Sequence, residues 1–439
     1  MLALWRDENG KLLRQETGNR LMIKIILFLG ILTLPISYDY TFATPQLEHS
    51  GWAGGFTITF SDLVFLLLFV LWRIRTVGSI QPEREDLYKL PIIIFLVACL
   101  LSVLGAFWRI YCYFQIFQYC KIVFLYYYVP LMVLRSKEDL LFVCYSLLAL
   151  LLFQSSFAVI QFTSQDFYNF LRTGSAVRPT FFGDYIRSQG TVGSPNGLAA
   201  LLLPLLLLAQ MMFMNTRQIA YKFLYGCLFI LGTTALVLTF SRMAWVTFLI
   251  GFVLCSYFRR RKVRLSAQII TFATLTIVVA VCSEFVSARI TTDDQGSAMD
   301  RWYLMQIAWN IIKNNFLTGI GINNYWFVMN NYVPANYDWP FIYIVHNVFL
   351  LIFAETGILG FIAVSLLLVM PIFKTIRVVR TKDPLLSILS FWLCVSFAAM
   401  IILNMVDLTW ASQSGISLYF LLLALSNVII NLNRRCQEP

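Results

Sequence analysis

Long apolar runs separated by short polar segments repeat along almost the whole chain. Most runs are roughly 18 to 25 residues long, enough for an α-helix to cross a hydrocarbon layer about 30 Å thick. The pattern therefore predicts twelve membrane-spanning helices, at residues 21–38, 56–74, 90–108, 113–134, 140–162, 196–214, 223–240, 243–258, 266–284, 344–373, 385–405 and 414–431.

Composition agrees with this pattern. Of 439 residues, 59% are hydrophobic and only 13% are charged, too few charges to cover the surface of a soluble protein of this size. The nine cysteines are scattered without a C-x-x-C pair, which indicates packing residues and predicts no metal or disulfide framework. The predicted fold class is an all-α polytopic membrane protein with about twelve transmembrane helices and a large helical outer loop.

The distribution of basic residues predicts the orientation in the membrane. If both termini are cytoplasmic, the inner segments hold 23 of the 33 lysines and arginines, as the positive-inside rule expects. The clearest markers are "YFRRRKVR" (257–264) and "FKTIRVVRTK" (373–382). The net charge of +11 thus reflects topology, and with no separate basic face it predicts no nucleic-acid partner.

The predicted outer side carries three longer segments, at residues 39–55, 163–195 and 285–343. The last is too long for a simple connection, which favours a binding or catalytic segment. Within it, "DRWYLMQIAWNIIKNNFLTGIG" predicts a helix along the membrane surface that begins with Asp300 as its N-cap and ends at Gly319 and Gly321. The chain divides into an N-terminal part, a core containing this loop, and a C-terminal part, at 1–185, 186–373 and 374–439.

One histidine and one glutamate interrupt the apolar stretch "VHNVFLLIFAETGILGF" (345–361). His346 lies at the outer start of a span, where it is either a proton acceptor or a histidine that caps the helix mouth. Glu355 is nine residues deeper and about half a turn round, so the two form no simple dyad. Glu355 is interpreted as a protonated or hydrogen-bonded helix-packing residue, with a functional role as the alternative.

Two arginines also lie near the hydrocarbon boundary. Arg242, in "LTFSRMAW", splits a long apolar run into two spans and is expected at their outer turn. Such a charge is costly there unless it meets an anion, water or a carboxylate. Arg301 points away from the polar stripe of its predicted helix, and either faces a cavity or reaches lipid phosphate.

A fourth candidate segment is "IRSQGTVGSPNGLA" (186–199). Arg187 precedes glycines and a new span whose N-cap is predicted to be Asn196 or Ser194. Backbone N–H groups of such a loop and a helix N-terminus suit an anion, although the same residues are also typical of a simple turn.

Together, Arg187, Arg242, Arg301 and His346 are expected at one outer interface. Guanidinium groups bind diphosphate oxygens in a bidentate manner, and a histidine can accept a proton near neutral pH. This combination suits a reaction whose leaving group is a lipid-linked diphosphate.

At these residues the chain resembles the O-antigen ligase and polymerase superfamily of bacterial membrane proteins. The segments that carry the resemblance are "RSQGTVGSPNGLA", "FSRMAW", "RWYLMQIAWNIIKNNFLTGIGINNY" and "HNVFLLIFAETGILGF". It is strongest over residues 186–370.

The resemblance implies a multi-pass protein of the bacterial inner membrane that transfers a glycan from undecaprenyl diphosphate to an acceptor sugar on the periplasmic side. It implies inversion at the anomeric carbon, no metal and no cofactor beyond the lipid-linked donor substrate. By position, Arg242 and Arg301 match arginines around the diphosphate and His346 matches the histidine that assists the acceptor hydroxyl. Arg187, Asn196 and Asn347 are further substrate-binding candidates.

Several alternatives stay open. The implied partners are a lipid-linked oligosaccharide donor, a glycan or lipid A core acceptor, membrane lipids and, for a polymerase, a chain-length regulator. The residues do not separate polymerase from ligase; a chain that stops eight residues after the last span disfavours a protein acceptor. A flippase or transporter for lipid-linked oligosaccharides would need similar helices but also internal repeats or charged, broken helices near the midplane. A non-catalytic scaffold is the third possibility.

Overall fold

The computed structural model describes residues 18–36, 39–44, 53–76, 85–164, 181–182, 185–257, 297–334 and 343–436, with some separate residues between 272 and 287. The predicted ninth span and parts of the long outer segments lie mostly outside these ranges. Within them the fold is all-α apart from two small antiparallel hairpins.

The N-terminal part contains six helices and the first hairpin, in which Asp39 pairs with Thr59. Its elements are α1 (Gly18–Thr33), β1 (Asp39–Phe42), β2 (Phe56–Thr59), α2 (Phe60–Thr76), α3 (Lys89–Ser102), α4 (Arg109–Ile122), α5 (Val129–Val133) and α6 (Lys137–Thr163). A π-helical segment, Val123–Tyr128, joins α4 to α5 so that both form one span.

The remaining chain begins with the second hairpin and contains eight further described helices. Its elements are β3 (Phe181–Phe182), β4 (Tyr185–Ile186), α7 (Pro195–Asn215), α8 (Ile219–Val237), α9 (Arg242–Tyr257), α10 (Ser297–Asn314), α11 (Tyr325–Val328), α12 (Val348–Ile376), α13 (Pro384–Asn404) and α14 (Gln413–Arg435). Short 3-10 turns follow α3, α11, α12 and α13.

The structure confirms a polytopic α-helical membrane protein. Among the described residues, seven helical segments are long and apolar enough to cross a membrane, and Lys89–Gly105 and Arg242–Tyr257 are shorter apolar helices. A helix also lies in each of the other predicted spans except the ninth, which falls mostly outside the described ranges. The split of the 223–258 run is confirmed, since α8 and α9 are separate helices joined by a tight turn.

Two helices form the centre of the bundle. In α7 and α14, 89% of the most apolar stretch is buried, whereas the corresponding share in α8 is 39%. A helix that is apolar all round is expected in the interior. Trp392 of α13 reinforces this centre, because its indole Nε1 donates to the Pro204 carbonyl 2.8 Å away.

Successive spans run in opposite directions and expose two ends. We call the end that carries the described residues 34–36, 39–44, 53–59, 103–108, 187–194, 238–241, 315–334, 343–347 and 405–412 the loop face. Its segments are tied together by side-chain to backbone hydrogen bonds, for example Thr191 Oγ1 to the Pro35 carbonyl (3.1 Å) and Asn347 Nδ2 to the Met405 carbonyl (2.9 Å). All the candidate site residues lie at or near this face.

The predicted surface helix needs correction at both ends and on its apolar side. The described helix α10 starts at Ser297, so Asp300 lies inside its first turn and is not the N-cap, and it ends at Asn314, before Gly319 and Gly321. A carboxylate in the first turn still interacts favourably with the helix dipole. Part of the predicted membrane-facing side, including Ile307 and Ile312, is instead buried in a cluster with α12 residues, while Trp302 and Trp309 remain half exposed.

Helix α12 is broken at Gly357, where φ is +68° and ψ is −167°. The carbonyls of Ala354 and Glu355 accept hydrogen bonds from Ile320 N and Gly321 N, each at 3.0 Å. The loop that follows α10 thus enters the break and satisfies backbone groups that would otherwise be unpaired.

Candidate active site

His346 faces a carboxylate that the sequence pattern did not single out. Its Nδ1 lies 3.9 Å from Asp407 Oδ1, on the connection between α13 and α14. This nitrogen is buried and has no hydrogen-bond partner in the part of the chain that the structure describes. The distance is too long for a direct hydrogen bond, but such pairs often shorten when substrate binds.

Asn347 fixes the histidine against that connection. Its Oδ1 accepts a hydrogen bond from Leu350 N (3.0 Å) as the N-cap of α12, and its Nδ2 donates to the Met405 carbonyl (2.9 Å). Both ends of the amide therefore have structural partners. Its predicted contact with substrate stays a prediction.

Arg301 belongs to the same group. It lies in the first turns of α10, close enough to influence the charge of His346. Burial lowers the pKa of His346 below its usual value, Asp407 opposes this shift, and the positive charge of Arg301 adds to it. A histidine with a lowered pKa is neutral at pH 7 and able to accept a proton. We call Arg301, His346, Asn347 and Asp407 the histidine group.

Arg187 and Asn196 surround the turn that presents Arg242. Arg187 Nε donates to the Thr239 carbonyl (2.9 Å), and its guanidinium also donates to Asn196 Oδ1 (3.0 Å). The turn is tight, with Phe240 at a φ of +54°, and Arg242 is the first residue of α9. We call Arg187, Asn196 and Arg242 the arginine group.

The 187–194 loop forms a turn in which three backbone N–H groups donate to glutamine side chains, so these groups fit a simple turn better than an anion site. Gln161 Oε1 accepts from Gln189 N (2.9 Å) and Gly190 N (3.0 Å), while Gln154 Oε1 accepts from Thr191 N (3.2 Å). These N–H groups are thus already bonded to protein. Of the two predicted N-caps it is Ser194 that caps α7, accepting from Gly197 N at 3.3 Å.

The two groups lie on the same face of the bundle and are linked through one turn. Residues Thr409–Ala411, which follow Asp407, contact helix α7, the helix that Ser194 caps beside Asn196. The structure therefore places residues from four separate parts of the chain at one end of the helix bundle. Their roles in binding and catalysis stay predictions.

Glu355 lies outside the histidine group. It is fully buried, and its Oε1 accepts from Tyr325 N (3.1 Å) at the start of α11. Its carboxylate also faces the backbone N–H groups of Asn323 and Asn324. This arrangement fixes the loop that fills the break in α12, in agreement with a packing role.

Within the described ranges, no three His, Cys, Asp or Glu side chains are grouped so as to hold a metal ion. The candidate residues on the loop face supply guanidinium, imidazole and carboxylate groups.

Residues 227–365 match the O-antigen ligase family. This segment, about a third of the chain, contains Arg242, Arg301 and His346 and confirms the resemblance to the ligase and polymerase superfamily. At the family level it supports a membrane enzyme that ligates or polymerises glycans. No curated protein matches the chain.

Asp407 is the site residue that sequence reasoning missed. It is the one charged residue between the predicted eleventh and twelfth spans, in "VDLTWASQ" (406–413). The available signal was a single carboxylate in a short connection on the same predicted side as His346. It lies outside the segment that matches the O-antigen ligase family.

Proposed function

We propose that this chain is an inverting, metal-independent glycosyltransferase that moves a glycan from undecaprenyl diphosphate to an acceptor sugar on the periplasmic side of the bacterial inner membrane. The observation that carries the proposal is the histidine group, in which a neutral imidazole lies beside a carboxylate and an arginine. The imidazole and the arginine fall within the segment that matches the O-antigen ligase family.

In the proposed reaction the acceptor hydroxyl oxygen attacks the anomeric carbon, and the bond from that carbon to the diphosphate oxygen breaks. The electron pair leaves with the diphosphate, where Arg242 and Arg301 stabilise the developing negative charge. His346 takes the proton of the hydroxyl. Asp407 stabilises the resulting imidazolium, which explains why a carboxylate lies at Nδ1.

A transporter would share one feature with this chain, the break in α12. Discontinuous helices of transporters line a substrate cavity near the midplane. Here, however, the freed carbonyls of Ala354 and Glu355 are occupied by the loop after α10. The break therefore serves to seat that loop, which supports the enzyme over the transporter.

The deciding experiment uses purified protein in lipid nanodiscs. An undecaprenyl-diphosphate-linked repeat unit is supplied alone, then with a lipid A core acceptor, and the products are separated by size. We expect transfer in one of the two arms: a ladder from donor alone identifies a polymerase, and a single shifted core band identifies a ligase. If neither arm gives a product and the donor moves between the leaflets of proteoliposomes, the protein is a transporter and the proposed enzyme activity is wrong.

A further inference from the structure

A polar cavity lies beside the candidate active site on the loop face. Its volume is about 280 Å³, near the lower end of the range of roughly 300 to 1,000 Å³ for small-molecule sites. Val192 of the 187–194 loop borders it, as do Trp410 and Ser412 of the connection that carries Asp407. The cavity thus shares two wall segments with the arginine and histidine groups.

The lining consists of amides, hydroxyls, aromatic rings and aliphatic groups. Among the residues that the structure describes, it includes no charged side chain. Neutral donors and acceptors combined with aromatic rings suit a ligand that has many hydroxyls and an apolar ring face. A diphosphate would find no cation in this wall.

Three polar atoms of lining residues are buried without a partner. Gln115 Oε1, Gln118 Oε1 and Trp410 Nε1 have no hydrogen bond to any described residue, and these residues are only 4%, 7% and 1% exposed. Unpaired polar atoms at such depth are unfavourable and call for an explanation. Rotation of these side chains toward the cavity would give a sugar two acceptors and one donor, and each sugar hydroxyl can both donate and accept.

A buried ion pair holds one wall in place. Lys121 Nζ lies 2.7 Å from Asp62 Oδ2 and also donates to the Thr57 carbonyl at 2.7 Å. Tyr126 donates to the other oxygen of Asp62 (2.8 Å), and the Gln413 amide lies 3.2 Å from the carboxylate. Because this charge is balanced inside the wall, the cavity presents fixed but neutral groups.

We propose that this cavity binds one uncharged sugar residue of the acceptor glycan. The assignment to the acceptor rests on the proposed function, because the connection between α13 and α14 contributes to the cavity and also carries the carboxylate that faces His346. An acceptor sugar seated there would lie beside the connection that carries Asp407, whereas the donor diphosphate requires the arginines.

Two substitutions test the cavity without touching the histidine or arginine group. Gln115→Leu removes an unpartnered amide oxygen at similar volume, and Trp410→Phe removes the unpartnered indole N–H while keeping an aromatic ring. Gln210→Leu is the matched control, because Gln210 is also fully buried with an unpartnered Oε1 but bonds to the Phe252 carbonyl, outside the cavity lining.

Sugar binding is measured first, by saturation-transfer NMR of the protein in nanodiscs with glucose, galactose, N-acetylglucosamine and, as a charged comparison, glucuronate. We expect at least one neutral sugar to show transfer with the wild type and the Gln210→Leu variant. The signal should weaken by about fivefold to tenfold in each cavity variant, the effect of one lost hydrogen bond. No neutral sugar binding, or equal binding in all four proteins, would overturn the inference.

Transfer kinetics then separate this inference from the proposed function. The cavity variants should raise the KM for acceptor while the kcat and the KM for donor stay near wild type. Active enzyme whose acceptor KM is unchanged in both cavity variants would refute the acceptor site alone. Cavity-dependent sugar binding without transfer from any donor would refute the glycosyltransferase and the acceptor assignment, and would leave the sugar site standing.

Discussion

At the residue scale, the most informative contact is the one between His346 and Asp407. Burial and Arg301 lower the pKa of the histidine and Asp407 opposes them, so Asp407→Asn should lower this pKa further. A general base works in its neutral form, and the acidic limb of kcat/KM should therefore move to lower pH. The maximal rate should fall by about 10² or more, since the imidazolium loses its partner.

The check is a pH profile of transfer by wild type, Asp407→Asn and His346→Ala at equal membrane levels. In His346→Ala we expect a loss of about 10² to 10⁴ in rate with the fold retained. Full turnover in this variant would leave the histidine as a residue of the helix mouth. If the acidic limb of the kcat/KM profile stays at the same pH in Asp407→Asn, the carboxylate has no role in the mechanism.

Arg301 and Arg242 test the diphosphate contact at the same scale. Lysine keeps the charge but loses the planar, bidentate geometry, so Arg301→Lys and Arg242→Lys should each lower kcat/KM by at least about tenfold. Since the Arg301→Lys variant still has a positive charge near His346, its acidic limb should not move. The control is Arg217→Lys, at an exposed position between α7 and α8 on the opposite face. Full activity in both site variants would contradict the proposed binding of the diphosphate by Arg301 and Arg242.

At the element scale, the break in α12 depends on a backbone conformation that L residues rarely adopt. A Cβ at Gly357 would lie 2.1 Å from the Leu317 carbonyl oxygen, at a φ of +68°. Gly357→Ala should therefore destabilise the fold by about 2 kcal/mol or more. Gly226→Ala in α8 is the control, because its nearest contact would be Phe213 at an ordinary 3.5 Å. Thermal unfolding followed by size-exclusion chromatography gives the unfolding midpoint of each variant. Equal midpoints for Gly357→Ala and Gly226→Ala would contradict a strained break at Gly357.

Glu355 stabilises the same element through the loop that fills the break. Glutamine can still accept the hydrogen bond from Tyr325 N, so Glu355→Gln should retain activity with a modest loss of stability. Glu355→Leu removes the acceptor and leaves buried backbone N–H groups unpaired, which should lower the unfolding midpoint clearly. The measurement pairs thermal unfolding with transfer activity. A Glu355→Gln protein of normal stability but without activity would assign the carboxylate to catalysis.

At the scale of the whole molecule, the sequence predicts what depends on local pattern and misses what depends on long-range contacts. Span positions follow from apolar length, and the turn before Arg242 follows from a charge inside an apolar run. The break at Gly357 was not predicted, because a single glycine in an apolar helix is ordinary until a loop some 40 residues earlier is known to enter there. Asp407 and the Asp62–Lys121 pair were missed for the same reason, since each joins distant segments.

The orientation of the bundle is the remaining whole-molecule prediction. The helix ends on the face opposite the loop face carry Arg73, Arg75, Lys137, Lys374, Arg434 and Arg435, and an excess of basic residues favours the cytoplasmic side. Green fluorescent protein fused after residue 439 should therefore fluoresce, and alkaline phosphatase inserted at residues 335–342 should be active. A phosphatase inserted between α7 and α8 supplies the control, because that connection lies on the face predicted to be cytoplasmic and should give no activity. The reverse result would place the histidine group in the cytoplasm, where a lipid-linked donor presented on the periplasmic side could not reach it.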